Sequence, residues 1–159
     1  MTRRFIGIDP GTTGAIVILN EGGGLEAASL MPVRRVGKRH EVDAYNLAVI
    51  LDGEGETRAA IEDVNAFGMG RTSAFTFGKN VGACLALLDA LEIPTMRVLP
   101  RLWQELFWAR GDCDDTKGAA VAVALDRWPC LGEALRIKKN QGIADAALIA
   151  EWCRVTVIP

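Results

Sequence analysis

The stretch Phe5-Ile6-Gly7-Ile8-Asp9-Pro10-Gly11-Thr12-Thr13-Gly14-Ala15-Ile16-Val17-Ile18-Leu19 decides how this chain is read. Two apolar runs flank a turn of Asp, Pro, Gly and Thr, the pattern of a hairpin of buried strands. The turn opens with a carboxylate at the end of the first strand. Asp is depleted in strands and costly to bury alone, so Asp9 needs a partner such as a cation. It is therefore a candidate metal-ligand or phosphate-site residue. An Asp beside Pro and Gly also caps turns through its own backbone, and the hairpin alone leaves both roles open.

Working outward, residues 25–31 read as a third strand that completes a meander and ends at Pro32. Asp43 is a plausible N-cap for a helix to about Leu51, with Gly53 and Gly55 beyond it. Residues 58–64 form a short apolar strand with Glu62 and Asp63 at its C-terminal end, where an open α/β sheet presents its ligands. The loop 65–71 follows, displaying Phe67, Met69 and Arg71. An exposed aromatic beside an Arg can stack on a base.

The longest helical pattern covers 72–91 and carries Ala74, Gly78, Gly82 and Ala86 at i, i+4 spacing. Each helix-interior Gly costs about 1 kcal/mol relative to Ala, so two on one face suggest a close approach of backbone. The expectation is that this face docks on the sheet and that the bulkier face meets a second subunit. A fifth strand spans 94–99, and Pro100 opens a short helix containing Trp103, Phe107 and Trp108. After an acidic turn at 112–115, Asp115 or Thr116 caps a helix to about Trp128. Lys117 falls in its first turn, the unfavourable end for a cation unless it faces a phosphate. The last helix begins at Gly142 and is apolar almost all round, hence buried. Asp145 within it would be forced neutral unless a cation or hydrogen bonds keep it ionised.

The 159 residues suit one domain over 1–159, and 50% hydrophobic with 24% charged residues is the composition of a soluble globular protein. No stretch nears the roughly 20 apolar residues that span a bilayer, and the chain reads as intracellular (cytoplasmic). Cys84, Cys113, Cys130 and Cys153 are widely spaced, with one His in the chain. That spacing argues against a zinc site or a disulfide framework and for reduced thiols. A net charge of -2 is not the overall signature of a nucleic-acid binder. Charge is nevertheless concentrated locally. Arg34, Arg35, Lys38 and Arg39 precede His40 in an exposed loop or ribbon, and Arg136, Lys138 and Lys139 form a second cluster. Either cluster suits phosphates, or is simply solvated.

Four motifs in chain order now resemble one family. They are Ile6-Gly7-Ile8-Asp9-Pro10-Gly11 with Gly14-Ala15, Ile61-Glu62, Ser73-Ala74-Phe75 with Phe77-Gly78 and Gly82, and Ala144-Asp145-Ala146. Together they resemble the RuvC family of Holliday junction resolvases, in particular its compact phage-type members. The resemblance implies an α/β, ribonuclease H-like fold with a five-stranded mixed sheet flanked by helices. It implies a homodimeric endonuclease that cuts four-way DNA junctions with two Mg²⁺ or Mn²⁺ ions and leaves 5′ phosphates. Asp9, Glu62 and Asp145 would be the catalytic ligands, and hard cations suit such a carboxylate set. One ion would activate water and the other would stabilise the leaving 3′ oxygen. The loop with Phe67, Met69 and Arg71 would enter the junction centre. Arg34, Arg35, Lys38, Arg39, Lys117, Lys138 and Lys139 would contact DNA.

The chain departs from the family at one place. Relatives commonly carry another acid or a His about one turn before the last-helix Asp, where this chain reads Asn140-Gln141-Gly142. Asp63, an amide oxygen of Asn140 or Gln141, or water is left to complete the ligand set. A broader branched-DNA or RNA-processing nuclease of the same fold would use the same acids, and a non-catalytic nucleic-acid-binding module is the further alternative. The glycine turn also resembles the first phosphate loop of sugar kinases and actin-like ATPases, but those folds need two lobes, for which this length leaves no room.

Overall fold

Antiparallel pairing of β1 (Arg3–Asp9) with β2 (Ala15–Asn20) joins the two apolar runs and sets Asp9 opposite Ala15. Gly11 makes the turn possible with a φ of 119°, a backbone region that L side chains avoid. The computed structural model describes residues 2–64, 68–109 and 115–157; the readings for Phe67 and for residues 112–114 lie outside these. β3 (Leu25–Leu30) extends the meander beside β2. On the other side of β1, β6 (Glu56–Glu62) and β7 (Thr95–Val98) add in parallel. The result is a five-stranded mixed sheet in the order β3-β2-β1-β6-β7, as the resemblance implied.

Strand alternation sorts the side chains into two cores. Phe5, Val17 and Ala60 face one core, shared with α4 (Thr116–Arg127) and α6 (Gly142–Val157). Ile6, Ile8 and Ile61 face the other, beneath α1 (Ala44–Leu51) and α2 (Arg71–Ala90). Asp9 continues the row of Phe5 and Gly7, and Glu62 continues the row of Ala60. Both acids therefore emerge on the α6 side. Asp63 belongs to the opposite row.

α6 lies directly on β1. A Cβ at Gly7 would overlap the backbone of Ala146 and Ala150, so only glycine lets this helix and strand approach so closely. The burial expected of α6 is observed, from Ile143 to Cys153 apart from the partly exposed Asp145 and Trp152. The reading of α2 needs correction. Its buried residues are Asn80, Cys84 and Leu88, whereas a Cβ at Gly78 or Gly82 would meet nothing within 4 Å. The small-residue stripe thus faces outward and the bulkier face packs on the sheet. Two short helices, one of them α5 (Gly132–Leu135), and one ribbon complete what positions the site. α3 (Pro100–Gln104) is shorter than expected and leaves Phe107 and Trp108 beyond its end. β4 (Val33–Val36) and β5 (Arg39–Val42) pair as a separate two-stranded ribbon. Among the described residues no helix is long and apolar enough to cross a membrane.

Candidate active site

Three separate pieces of backbone deliver the acids to one place. Asp9 ends β1, Glu62 ends the parallel neighbour β6, and Asp145 sits in the first turn of α6. Negative charge there is favoured by the helix macrodipole. The Asp9 carboxylate reaches the start of that helix, because a Cβ at Gly142 would stand 2.9 Å from its Oδ2. A side chain at position 142 would thus crowd Asp9, which explains why a glycine follows Gln141 here.

The acids sense one another. Burial, then repulsion from Glu62 and Asp145, pushes the Asp9 carboxyl up to about 8, with Lys117 opposing. Burial and the Glu62 charge push Asp145 up to about 7, again opposed by Lys117. Glu62 is also raised by burial, and a hydrogen bond from Trp103 pulls it back down. This is an excess of negative charge on a partly buried rim, the electrostatic condition that a bound cation relieves.

A cleft of about 240 Å³ opens at this point, lined by Asp9, Thr13, Lys117, Gln141, Gly142 and Asp145, with Lys138 and Lys139 on its wall. Lys117 therefore faces the acids, which accounts for a cation in the first turn of α4. Of the three side chains offered for the fourth ligand, only Gln141 lines the cleft. Asp63 is held by Arg97 (2.7 Å), and Asn140 is buried outside the cleft lining, its amide nitrogen donating to the Ala134 carbonyl (3.0 Å) and its Oδ1 without a partner among the described residues. Among the described residues no three Asp, Glu, His or Cys side chains are grouped to hold one ion. The electrostatic couplings instead link the acids pairwise, Asp9 with Glu62 and with Asp145, and Asp145 with Glu62.

One contributor was not singled out for this role from sequence. The indole N–H of Trp103, 1% exposed, donates to Glu62 Oε1 at 2.9 Å. It fixes one carboxylate oxygen, and among the described residues it is the one side-chain hydrogen bond that Glu62 accepts. An aromatic 41 residues away carries no pairing signal in the sequence.

The remaining basic residues divide between two places. Lys38, Arg39 and His40 line a second, larger cleft of about 540 Å³ with Met69, the Pro10–Thr13 turn and the start of α2. Arg34 and Arg35 are exposed on β4 and line neither cleft; Arg71, also exposed, opens α2.

The whole architecture matches T. thermophilus RuvC in complex with a Holliday junction substrate, with a TM-score of 0.60 at 18% identity over 98% of this chain and 96% of that one. The fold is that of RuvC. A second Thermus thermophilus RuvC structure gives a TM-score of 0.55 at 17% identity, over 94% of this chain and 91% of the other. In sequence, this chain is 34% identical over 95 residues to the chloroplastic Holliday junction resolvase MOC1 of Chlamydomonas reinhardtii. The match takes in 58% of this chain and 10% of that relative, so the chain spans about a tenth of its length. No family model matches the chain. On this RuvC fold the acid cleft lies where β1 and β6 end and α6 begins.

Proposed function

We propose that this chain is a divalent-metal-dependent endonuclease that resolves four-way DNA junctions and leaves 5′-phosphate ends. The observation that carries the reading is the meeting of Asp9 and Asp145 in a cleft walled by Lys117, Lys138 and Lys139, with the Glu62 charge acting on both acids. The RuvC fold and the resolvase relative support it.

Two Mg²⁺ or Mn²⁺ ions would be held by Asp9 with Glu62 and by Asp9 with Asp145, with the Gln141 amide oxygen beside them. Bound there, the ions supply an acidified water and charge stabilisation at the leaving oxygen. The chain's own groups do the rest. Trp103 orients Glu62, and the three lysines draw in the phosphodiester. Met69, Arg71 and Phe67 belong to the segment that would enter the junction centre, and Arg34, Arg35, Lys38 and Arg39 would contact the DNA outside the acid cleft.

A homodimer is part of the proposal, since two aligned sites are needed to cut two strands symmetrically. The exposed Gly78–Gly82 face of α2, with Phe75 70% exposed beside it, is the surface that suits a second copy. The test is to incubate labelled four-way junction, linear duplex and RNA–DNA hybrid in parallel with Mg²⁺. Selective junction cutting that falls roughly 10³-fold or more in Asp9→Asn, Glu62→Gln and Asp145→Asn is the expected result. Equal cutting of all three substrates would point to a broader nuclease, and no cutting would refute the reading.

A further inference from the structure

We propose that the cleft between the β4–β5 ribbon and the start of α2 is a second nucleic-acid site, holding an unpaired strand segment across the Pro10–Thr13 turn from the acids. The proposal rests on the nuclease reading and adds to it where a strand runs outside the acid cleft.

The ribbon is held in place by α2. Glu41 pairs with Lys79 at 2.6 Å, and the Val42 amide donates to Asn80 Oδ1 at 3.1 Å. Asn80 is 2% exposed and lies in the buried row of α2. A two-stranded ribbon is marginally stable alone in water. These two ties therefore fix where Lys38 and Arg39 stand. Among the described residues neither cation has a carboxylate partner, unlike Lys79, Arg97 and Arg127. Both line the cleft with Thr12, Ser73 and Thr76, of which Thr76 gives its hydroxyl hydrogen to the Thr72 carbonyl at 3.0 Å, leaving Thr12 and Ser73 as the hydroxyl donors. Unpaired cations beside hydroxyl donors match a phosphodiester.

The rest of the lining suits a base. Phe77 and Met69 give apolar faces, and a volume of about 540 Å³ falls in the range of pockets for small organic ligands, the scale of a nucleotide. Aromatic faces become useful to a base only once it is unstacked, which favours an unpaired strand over a duplex. Continuity supplies the link to the active site. Thr13 lines both clefts, so a strand leaving the acids passes over this turn into the ribbon cleft.

The test uses fluorescence anisotropy of a short labelled oligothymidylate on the metal-free protein, comparing wild type with Lys38→Ala/Arg39→Ala and Lys38→Glu/Arg39→Glu. The expected result is at least tenfold weaker binding, more for the reversal, and a salt slope shallower by about 0.7 for each phosphate no longer neutralised. Calorimetric Mn²⁺ affinity should stay at the wild-type value. Unchanged oligonucleotide affinity and slope would overturn the proposal. So would inorganic phosphate competing as well as unlabelled oligonucleotide, which would mark a free-anion site, or a weakening confined to linear duplex. The nuclease reading stands or falls separately, on whether wild type cuts the junction.

Discussion

Helix α6 meets the sheet so closely that Gly7 has no room for a Cβ, whereas on the opposite side α2 turns Gly78 and Gly82 to open space. Both helices carry small residues at helical spacing. The difference lies in what else each helix has to bury. α6 is apolar on nearly every side and sinks its Ala146 and Ala150 backbone onto β1. α2 has a competing row in Asn80, Cys84 and Leu88, and that row takes the core side. The same contrast extends to chemistry, because Asp9 and Glu62 share the α6 side of the sheet. The tightly packed side carries the acids, and the open helix face is the one proposed to meet a second copy.

The harshest challenge to this contrast is Gly7→Leu. Its side chain would overlap α6 backbone, which has no rotamer to move to, so we expect a loss of about 3 kcal/mol or more in urea unfolding. Wild-type stability in this variant would mean that α6 does not sit where described.

Next in size is the charge on the α6 side. A carboxyl whose pKa is raised in the folded state contributes stability that is fully present below its unfolded value and is lost as pH rises through the folded one. For Asp9 that window runs from 3.8 to about 8, and for Asp145 from 3.8 to about 7. The metal-free protein should therefore lose on the order of a few kcal/mol between these limits. Asp9→Asn should flatten the slope, and Mg²⁺ should restore stability at pH 8 but not at pH 5. Equal slopes in wild type and Asp9→Asn would contradict the coupling.

Trp103→Phe probes the same side more finely. An aromatic ring stays, though a smaller one, the hydrogen bond to Glu62 goes, and Mn²⁺ affinity should fall about tenfold by calorimetry. The smallest expected effect is on the open side. Gly82→Ala should stabilise the fold by up to about 1 kcal/mol, and Gly82→Leu should fold normally while weakening self-association in sedimentation. Loss of folding in Gly82→Leu would restore the docking that the sequence pattern suggested.

Much of this was legible in the sequence. Apolar runs ending in Asp9 and Glu62 declare strand-end acids, and Asp145 stands out because its helix has no solvent face to put it on. The sides of α2 were not legible, because periodicity defines a face without saying which way it points. Asn80 also disguised the true buried row, being a polar residue that accepts from the ribbon backbone at Val42. Alternation could have separated Glu62 from Asp63. The pairing of Lys79 with Glu41 and of Trp103 with Glu62 joins residues far apart in the chain, and only the fold brings them together.

The proposed chemistry depends above all on Asp9 being shared between two cation sites, one with Glu62 and one with Asp145. Anomalous scattering from crystals grown with Mn²⁺ is the decisive experiment. Two peaks are expected, each at a coordination distance of about 2.1 Å from an Asp9 oxygen, flanked by Glu62 and Asp145 respectively. Peaks elsewhere, or a site in which Asp145 or Glu62 touches no ion, would contradict this arrangement.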